Sequence, residues 1–453
     1  MVRVIPGVEV KVVKEIVPQQ LYPAGVVGMI GTAAGGPINE PKTITSYREL
    51  VEIFGPEDAG CTLHKDAKLA FLNGVFQVVA TRIGGAASTP SSAVLKGFRR
   101  NQDVLRINAR NLGEDANNLK VTVMRGASEN TVRLEIGSES FDNLTMDPSN
   151  DLFLVKILNE NSRLVIAESL VSEPTADNNP RPQETELTGG TFAPPSSKDY
   201  ERALESLELE PNIDVVTVCD SWDPEIHALV DAHCQNMSLG KEPQTLAPRI
   251  GIGTVAPNEP VDQIIKRSET LASDRFVLVA PYGCAGAVAG LVSKLDYYQS
   301  PTFKALTGMA AIEHRYTPSE QMKLLTNGML VVDAVRGRGI IVIKGITTSK
   351  EQLSVMRIAD HATRGTKSIC DLYIGTLNNA RGRMALRERM TEFLIGMERE
   401  GAIVPSTDGQ QPAFIVDVYS SQIDFAQGIV RVDEAVRPVR AMDYIYATIT
   451  VQM

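Results

Sequence analysis

The chain has 453 residues, of which 43% are hydrophobic and 22% charged, and its formal net charge is −10. This length exceeds what one hydrophobic core usually supports, so we expect several domains, and the acidic balance argues against binding to nucleic acid, which needs a basic surface that displaces counterions. No run of about 18 uncharged apolar residues occurs, and the first residues lack the apolar region of a signal peptide, so we expect no insertion into a membrane and no secretion by that route.

The first 24 residues are predicted to form an extended arm. Val8, Val10 and Val12 alternate with Glu9 and Lys11, and a period of two with β-branched residues is typical of a β-strand. No turn sequence follows that would bring the chain back as a hairpin. The strand therefore has no predicted partner nearby in the sequence.

The segment 26–36, VVGMIGTAAGG, is an apolar strand that runs into a glycine-rich turn, a pattern that can hold a phosphate. Its glycines lack the G-x-G-x-x-G spacing of a dinucleotide site. Pro37 and Ile38 stand where a P-loop has Lys followed by Ser or Thr. We therefore expect a turn in a structural core and no bound nucleotide.

Residues 25–98 are predicted to contain strand, loop, two helices and a further strand. A helix is expected over 47–54, with Ser46 as its N-cap and Gly55 at its end. A β-branched strand is expected over 75–83.

The rest of the chain divides by its pattern of strands and helices. Over 99–187, short alternating strands separated by turn residues predict an inserted all-β domain. Over 188–335, strands alternate with helices, which predicts a parallel or mixed sheet with crossovers. Over 336–428 a strand, a helix at 380–401 and another strand follow, and 429–453 form a terminal arm. The predicted fold class is multidomain α/β (α+β): a mixed-sheet core, an inserted all-β domain and extended terminal arms.

The carboxyl terminus ends in a second strand without a predicted partner. Ile445, Ile449 and Val451 alternate with polar and aromatic positions that include Tyr444 and Tyr446. Such a strand must pair with another segment or become an aggregation edge. Because arm and acceptor are different surfaces, pairing between copies would build rings or an open helical array.

No catalytic, cofactor-binding or metal site is expected. The G-x-S-x-G elbow of α/β-hydrolases does not occur. His227 and Asp231 share a helix face at i, i+4, but His233 and Cys234 point elsewhere, so a buried structural helix is the favoured interpretation. The cysteines lack C-x-x-C spacing, which argues against a disulfide framework and a zinc ribbon and suits a reducing compartment: Cys61, Cys219, Cys234, Cys284 and Cys370.

One local basic run lies in the predicted helix 380–401. It consists of Arg381, Arg383, Arg387 and Arg389. The run is either a solvated helix face paired with neighbouring glutamates or a contact with an acidic partner, and both interpretations stay open.

Segments spread over nearly the whole chain resemble contractile phage tail sheath proteins. They are, in order, PGVEV, VVGMIGTAAGGPINEPKTITSYRELVEIFG, ARNLGEDANNLKVTV, LTGGTFAPPSSKDYERALESLELEPNIDVVTV, RGRGIIVIKGITTS and VRPVRAMDYIYATITV. The chain departs from the family at Lys344 and Ile346, near which many relatives carry a tryptophan and an arginine, and after Cys370.

The resemblance implies a structural subunit, not an enzyme, that polymerises as a helical homo-oligomer around a tail tube. It implies a switch from an extended metastable state to a contracted one, with the tube, baseplate and tail terminator proteins as partners. It also implies a place in the virion tail after assembly in the host cytoplasm, and a non-catalytic domain of subtilisin-like fold over 188–335. The terminal strands would be the linkers between subunits, and Arg383 and Arg387 would face the tube.

Two other function classes remain open from the sequence. The first is an α/β enzyme or small-molecule-binding protein that uses 188–335. The second is a static shell or tube component with a single helical lattice. The sequence does not distinguish a phage from a tailocin or an extracellular injection system.

Overall fold

A mixed sheet of eight strands forms the centre of the protein, whose computed structural model describes residues 25–57, 60–85, 87–98, 102–240 and 246–447. In this part of the chain the strands are β1 (Val26–Gly31), β2 (Lys42–Ile44), β3 (Gln77–Arg82), β4 (Pro90–Lys96), β5 (Asp103–Leu112), β6 (Lys120–Arg125), β7 (Val132–Ile136), β8 (Glu139–Leu144), β9 (Val165–Ser169), β10 (Gln183–Glu186), β11 (Val215–Val218), β12 (Ile250–Thr254), β13 (Phe276–Ala280), β14 (Met329–Val335), β15 (Gly339–Val342), β16 (Phe414–Tyr419) and β17 (Arg431–Val436). The helices are α1 (Tyr47–Phe54), α2 (Thr62–Asn73), α3 (Leu154–Asn161), α4 (Ser197–Ser206), α5 (Pro224–Leu239), α6 (Val261–Leu271), α7 (Ala285–Lys294), α8 (Pro318–Thr326), α9 (Leu353–Asp371), α10 (Ala380–Arg399) and α11 (Gln422–Ala426).

The central sheet has the strand order β15-β14-β13-β12-β11-β1-β3-β2. All neighbouring strands are parallel except the two edge pairs, β2 with β3 and β14 with β15. The sheet joins strands from three of the predicted segments, 25–98, 188–335 and 336–428. The mixed α/β fold class predicted from the sequence is confirmed.

Helices cover both faces of this sheet, as the continuous apolar runs of its strands require. On one face α1, α2 and α7 pack through buried residues such as Leu50, Ala67 and Val288. On the other face α4, α5, α6 and α8 pack through residues such as Val230 and Ile264. Among the helices of the described residues, none is both long and apolar enough to cross a membrane.

The helix predicted over 47–54 is α1, with the predicted bounds. Ser46 is its N-cap and accepts a hydrogen bond from the Glu49 backbone N–H, which satisfies one of the orphan donors at a helix start. Leu50 and Phe54, one turn apart, are fully buried. Local capping and apolar spacing therefore agree with the tertiary structure.

The inserted region consists of two small antiparallel sheets, β4-β5-β9 and β10-β6-β7-β8. It also contains the helix α3, which the sequence analysis did not predict. β4 precedes residue 99 but pairs with β5 inside the insertion, so this sheet begins at Pro90.

The last part of the chain packs α9 and α10 against the hairpin of β16 and β17. Residues 431–436, which begin the predicted arm 429–453, form β17 and pair with β16 of the same chain. The segment that remains after this hairpin starts at 437.

α9 has 19 residues and was not predicted from the sequence. Its face toward the central sheet carries Leu353, Arg357, Asp360 and Arg364, which are all buried. These positions have helical spacing, but three of the four are charged. The helix also buries Ile358, Ala362 and Ile369 in the core that it shares with α10 and β16, so an apolar period was present, but the buried charged positions beside it interrupt the pattern.

Candidate assembly interface

The hairpin formed by β16 and β17 has two open edges. Its strands pair from Phe414 opposite Val436 to Tyr419 opposite Arg431. Within the described residues, no other strand pairs with either one, and no further backbone hydrogen bond reaches their outer sides. Unpaired N–H and C=O groups on a strand edge are a template for an added strand. The hairpin can therefore accept a strand on each side.

After β17 the chain is held along its own subunit up to residue 443. The Gln352 side chain donates to Ala441 O and to Asp443 Oδ2, at 3.1 and 2.8 Å, and its oxygen accepts from Ala441 N at 2.9 Å. Lys344 Nζ lies 3.5 Å from Asp443 Oδ2. Side chains at the start of α9 thus fix the place where the terminal segment leaves the body.

The predicted arm residues at the carboxyl end are exposed where the structure describes them. Tyr444, Ile445 and Tyr446 are 69%, 81% and 95% exposed and have no regular secondary structure. The Tyr444 hydroxyl accepts from Lys344 Nζ at 3.3 Å. Within the described residues, however, no strand pairs with the backbone of these three residues, and a strand is the partner that such a sequence needs. The other predicted arm residues lie outside the described residues: Val8, Val10, Val12, Ile449 and Val451.

The arginines of the basic run on α10 differ in their contacts. Arg383 is half-buried and donates to Asn378 Oδ1 at 2.7 Å. Arg389 pairs with Glu392 at 2.6 Å. Arg387 is exposed, so of these three it is the one best placed to meet a partner.

The placement of these arginines is unfavourable for the helix itself. Arg381 lies in the first turn of α10, which contains no acidic residue, and cations there oppose the helix dipole. Arg383 and Arg387 are like charges at i, i+4, which also destabilises a helix. Each effect costs only a few tenths of a kcal/mol, but helix stability does not account for the run.

A group of exposed apolar side chains, here termed the apolar end, lies close to these arginines. Asn378 connects its two parts, because its amide donates to Ser420 Oγ and Ile429 O, which places the α9–α10 turn beside the β16–β17 turn. Each member is more than half exposed, and exposed apolar side chains mark an interaction site where they form one surface. The members are Leu372, Ile374, Leu377, Met384, Ile423 and Phe425.

The α5 side chains whose spacing could suit a metal form hydrogen bonds within the protein instead. His227 Nε2 lies 3.0 Å from Ser221 O, and burial lowers the pKa of this histidine to about 4. Burial and the nearby Arg249 guanidinium lower the pKa of His233 to about 3. Asp231 accepts from Ser273 and Gln235. In the described part of the chain, no three such side chains come together as metal ligands.

The glycine-rich turn after β1 packs against the start of α2. Thr32 N donates to Thr62 Oγ1 at 2.9 Å, and Thr62 N donates to Thr32 Oγ1 at 3.1 Å. A Cβ on Gly31 would lie 2.9 Å from Leu63 N and from Thr62 Oγ1. The helix end that a phosphate would need is thus in contact with the chain's own backbone, in support of a structural turn.

A cavity of about 640 Å³ lies between the central sheet and the helices α9 and α10. Its lining includes Asp214 and Ile250, which stand at the amino ends of β11 and β12, together with Tyr297, His361 and Glu400. His361 stacks on Tyr297, with 3.8 Å between ring centroids. Open α/β sheets bind ligands at the carboxyl ends of their strands, so the position of this cavity does not favour an enzyme site.

Comparison with known proteins decides which family has this arrangement. Residues 193–348 match the family model described as the phage tail sheath protein central domain. The tail sheath protein of Staphylococcus phage Twort is 30% identical over 194 residues, a match that covers 38% of this chain and 32% of that protein. The chain is thus similar to phage tail sheath proteins, and its central part matches their family model. The resemblance stated from the sequence is confirmed.

Solved structures of sheath proteins share the fold over almost the full chain. The sheath tail protein Lin1278 from Listeria innocua has a TM-score of 0.69 at 16% identity and covers 92% of each chain. The contracted helical sheath of the anti-feeding prophage has a TM-score of 0.56 at 12% identity, with 99% of each chain covered. The contracted sheath of the PVC extracellular contractile injection system has a TM-score of 0.57 at 12% identity and covers 99% of this chain and 98% of that one.

Two contacts in this structure could not be predicted from the sequence. Gln352 and Lys344 hold the terminal segment at Asp443, which lies 91 residues after Gln352 and further still after Lys344. Gln352 belongs to no motif quoted above, whereas Lys344 lies in the segment RGRGIIVIKGITTS. The sequence marked Lys344 only as a departure from the family pattern. It did not indicate that Asp443 is the partner of this lysine.

Proposed function

We propose that this chain is the structural subunit of a contractile tail sheath that polymerises around a tail tube and drives it through a cell envelope. One observation carries the proposal within this family: the terminal residues Tyr444–Tyr446 lie exposed beyond a fixed anchor, while the β16–β17 hairpin of the same subunit offers open edges. Donor and acceptor are different surfaces of one chain, so their pairing is heterologous and propagates.

The terminal arms act as linkers that join subunits by adding strands to a neighbour's sheet. If each arm forms about five main-chain hydrogen bonds at roughly 1 kcal/mol net, one linkage contributes on the order of 5 kcal/mol. This is enough to keep subunits joined while the rest of each subunit moves. The residues that carry the role are Val8, Val10, Val12, Tyr444, Ile445, Tyr446, Ile449 and Val451.

The sheath switches from an extended metastable state to a contracted one without consuming a nucleotide. Such a switch requires two alternative packings of the subunit bodies separated by a barrier. The arms remain paired in both states and keep the lattice connected. The baseplate biases the first ring and the tail terminator bounds the last, so both are partners.

The basic run on α10 faces an acidic surface of the tail tube in the extended state. Arg387 makes the contact from its exposed position, and Arg383, at i, i+4, supports the same face while bound to Asn378. An acidic partner would offset the repulsion between these like charges, which the isolated helix does not relieve. The sheath belongs to the tail of the assembled particle, after synthesis in the host cytoplasm, and it neither binds nucleic acid nor inserts directly into a membrane.

Negative-stain electron microscopy of the purified full chain tests the proposal. We expect striated tubes or rings from the wild type and none after deletion of 445–453. Ile445→Asp should weaken assembly in the same direction. Leu239→Asp, at an exposed apolar side chain on α5 that is 75% accessible, should not. Normal tubes from the truncated chain would rule out the linker role, and uniform small particles from the wild type would support the enzyme or binding alternative.

A further inference from the structure

The helix α9 contacts both places where a predicted arm leaves the subunit. Gln352, directly before α9, binds the terminal segment at Ala441 and Asp443. Arg364, twelve residues later and so about 18 Å along the helix, pairs with Asp214. Asp214 in turn binds the first described residue, Gly25.

At the amino-terminal exit the backbone direction is tightly constrained. Gly25 N donates to Asp214 Oδ2 at 2.7 Å, and Arg364 Nη1 lies 2.7 Å from Asp214 Oδ1. Gly25 has φ +96°, and a Cβ on it would lie 2.7 Å from Ser293 O. Only glycine meets both conditions without strain, so the direction of the backbone at Gly25 is fixed.

At the carboxyl-terminal exit, side chains constrain the direction of the backbone. The three hydrogen bonds of Gln352 and the Lys344–Asp443 pair hold the chain at 441–443. Lys344 Nζ also lies 5.3 Å from the centre of the Tyr444 ring. Ile445, the next residue, is exposed. The fixed segment thus ends where the exposed segment begins.

α9 itself is fixed to the central body by buried polar contacts. Arg357 donates to the carbonyls of Leu295 and Asp296, at 2.8 and 3.0 Å, just past the end of α7. A cation at a helix carboxyl end satisfies its free carbonyls and suits its dipole. Asp360 pairs with Arg275. The helix therefore cannot shift without breaking several of these contacts.

We propose that α9 sets the direction in which both arms leave the subunit, with Asp214 and Gln352 as positioning residues. The inference rests on the proposed function of the arms as linkers. A strand that must join a neighbour's sheet in register loses less conformational entropy if its exit is already oriented. Strand addition then starts from a nearly correct geometry at both ends of the chain.

Gln352→Leu tests the carboxyl-terminal exit, with Gln263→Leu as control, since Gln263 is exposed on α6. In the free subunit, trypsin should cleave after Arg440 at least tenfold faster in Gln352→Leu, because cleavage follows the open population, while cleavage elsewhere is unchanged. Assembly, followed by light scattering, should slow at least tenfold. Combining Gln352→Glu with Asp443→Asn restores a 352–443 hydrogen bond in the reverse direction and should recover a large part of both effects.

Gly25→Ala tests the amino-terminal exit, with Gly337→Ala as control. Gly337 has φ +81° and no atom within 4 Å of its virtual Cβ, so the control shares the backbone strain but not the collision. We expect assembly to slow at least tenfold in Gly25→Ala and less than threefold in the control, when both melt within a few degrees of each other.

Wild-type assembly rates in Gln352→Leu despite faster cleavage after Arg440 would overturn the inference, and so would unchanged cleavage. Equal assembly of Gly25→Ala and Gly337→Ala would overturn its amino-terminal half. A wild-type chain that never assembles would instead contradict the proposed function, and the two failures are therefore distinguishable.

Discussion

Arg364 and Asp214 form an ion pair with 2.7 Å between Nη1 and Oδ1, and the arginine side chain is only 7% exposed. The same guanidinium also donates to the backbone carbonyls of Ile213 and Pro248. These contacts lie at the amino ends of β11 and β12. A single side chain therefore joins α9 to two neighbouring strands of the central sheet.

Arg364→Met should lower the free energy of unfolding by about 3 kcal/mol, because it leaves the Asp214 carboxylate and two buried carbonyls without their partner. Urea denaturation measures the change. Arg48→Met removes an exposed pair with Glu52 and should cost no more than about 0.5 kcal/mol. A loss below about 1 kcal/mol in Arg364→Met would contradict the structural role given to this pair.

Two helical glycines should respond in opposite directions to replacement by alanine. A Cβ on Gly290 of α7 would lie 2.4 Å from Ala70 O of α2, whereas a Cβ on Gly396 of α10 would have no atom within 4 Å. Gly290→Ala should lower the melting temperature by several degrees, because two helix backbones must separate. Gly396→Ala should stabilise by roughly 0.5 to 1 kcal/mol, since alanine is the better helix former. Calorimetry of both variants measures these changes. An unchanged melting temperature in Gly290→Ala would refute the close approach of α2 and α7.

Stability should depend on pH through His227. Burial lowers its pKa from 6.5 to about 4, so the unfolded chain takes up a proton first as the pH falls. Neutral His227 therefore contributes about 3 kcal/mol to the free energy of unfolding for a shift of this size. This contribution is fully present above pH 6.5 and is lost between pH 6.5 and 4. His227→Gln should remove this part of the dependence.

Asp66 changes the pH dependence of stability in the opposite direction, so its effect must be separated from that of His227. Burial raises the pKa of this carboxyl to about 6, so the folded chain binds the proton more tightly and gains stability as the pH falls from 6 toward 4. The difference between wild type and His227→Gln at each pH isolates the histidine. Parallel stability curves for the two proteins would show that His227 is not buried as neutral imidazole.

Charge reversal at Arg387 should impair assembly on a tube and leave the fold intact. Arg387 is exposed on α10, so Arg387→Glu should change the melting temperature by less than a few degrees. Assembly templated by tail tubes should fall at least tenfold, and more at low salt, because the expected contact is electrostatic. Arg48→Glu serves as the control on α1. Equal templated assembly of Arg387→Glu and wild type would refute a tube contact at this position.

The elements that the sequence predicted well are those whose buried faces are apolar. α1 and the strands of 188–335 combine local caps or β-branched runs with complete burial, so local pattern and tertiary packing agree. α9 was harder to find in this way, since one buried side carries Arg357, Asp360 and Arg364. Only its other buried side is apolar, with Ile358, Ala362 and Ile369. The partners of the charged residues lie in distant segments, and charge patterns in one chain do not reveal such pairs.

The sequence predicts the arms as strands without local partners, and this stays a prediction, whereas it gave no indication of the residues that anchor them. Alternation at Tyr444–Tyr446 is visible in the sequence, and the exposure of these residues agrees with it. The arm was predicted to begin at 429, whereas 431–436 pair with β16. Pairing across a turn of eleven residues that contains a helix leaves no short hairpin signal.

The hairpin of β16 and β17 has a consequence for the ends of any polymer built in the proposed way. If both arms donate strands, each copy contributes two of them and, within its described residues, two strand edges that pair with no other strand. Every interior copy can then be fully paired. Pairing is incomplete only in the first and last layers, where donors or edges are left over. Unpaired strands or edges in those two layers can still bind further copies. Such a polymer therefore continues to grow unless proteins of a different shape cover its ends.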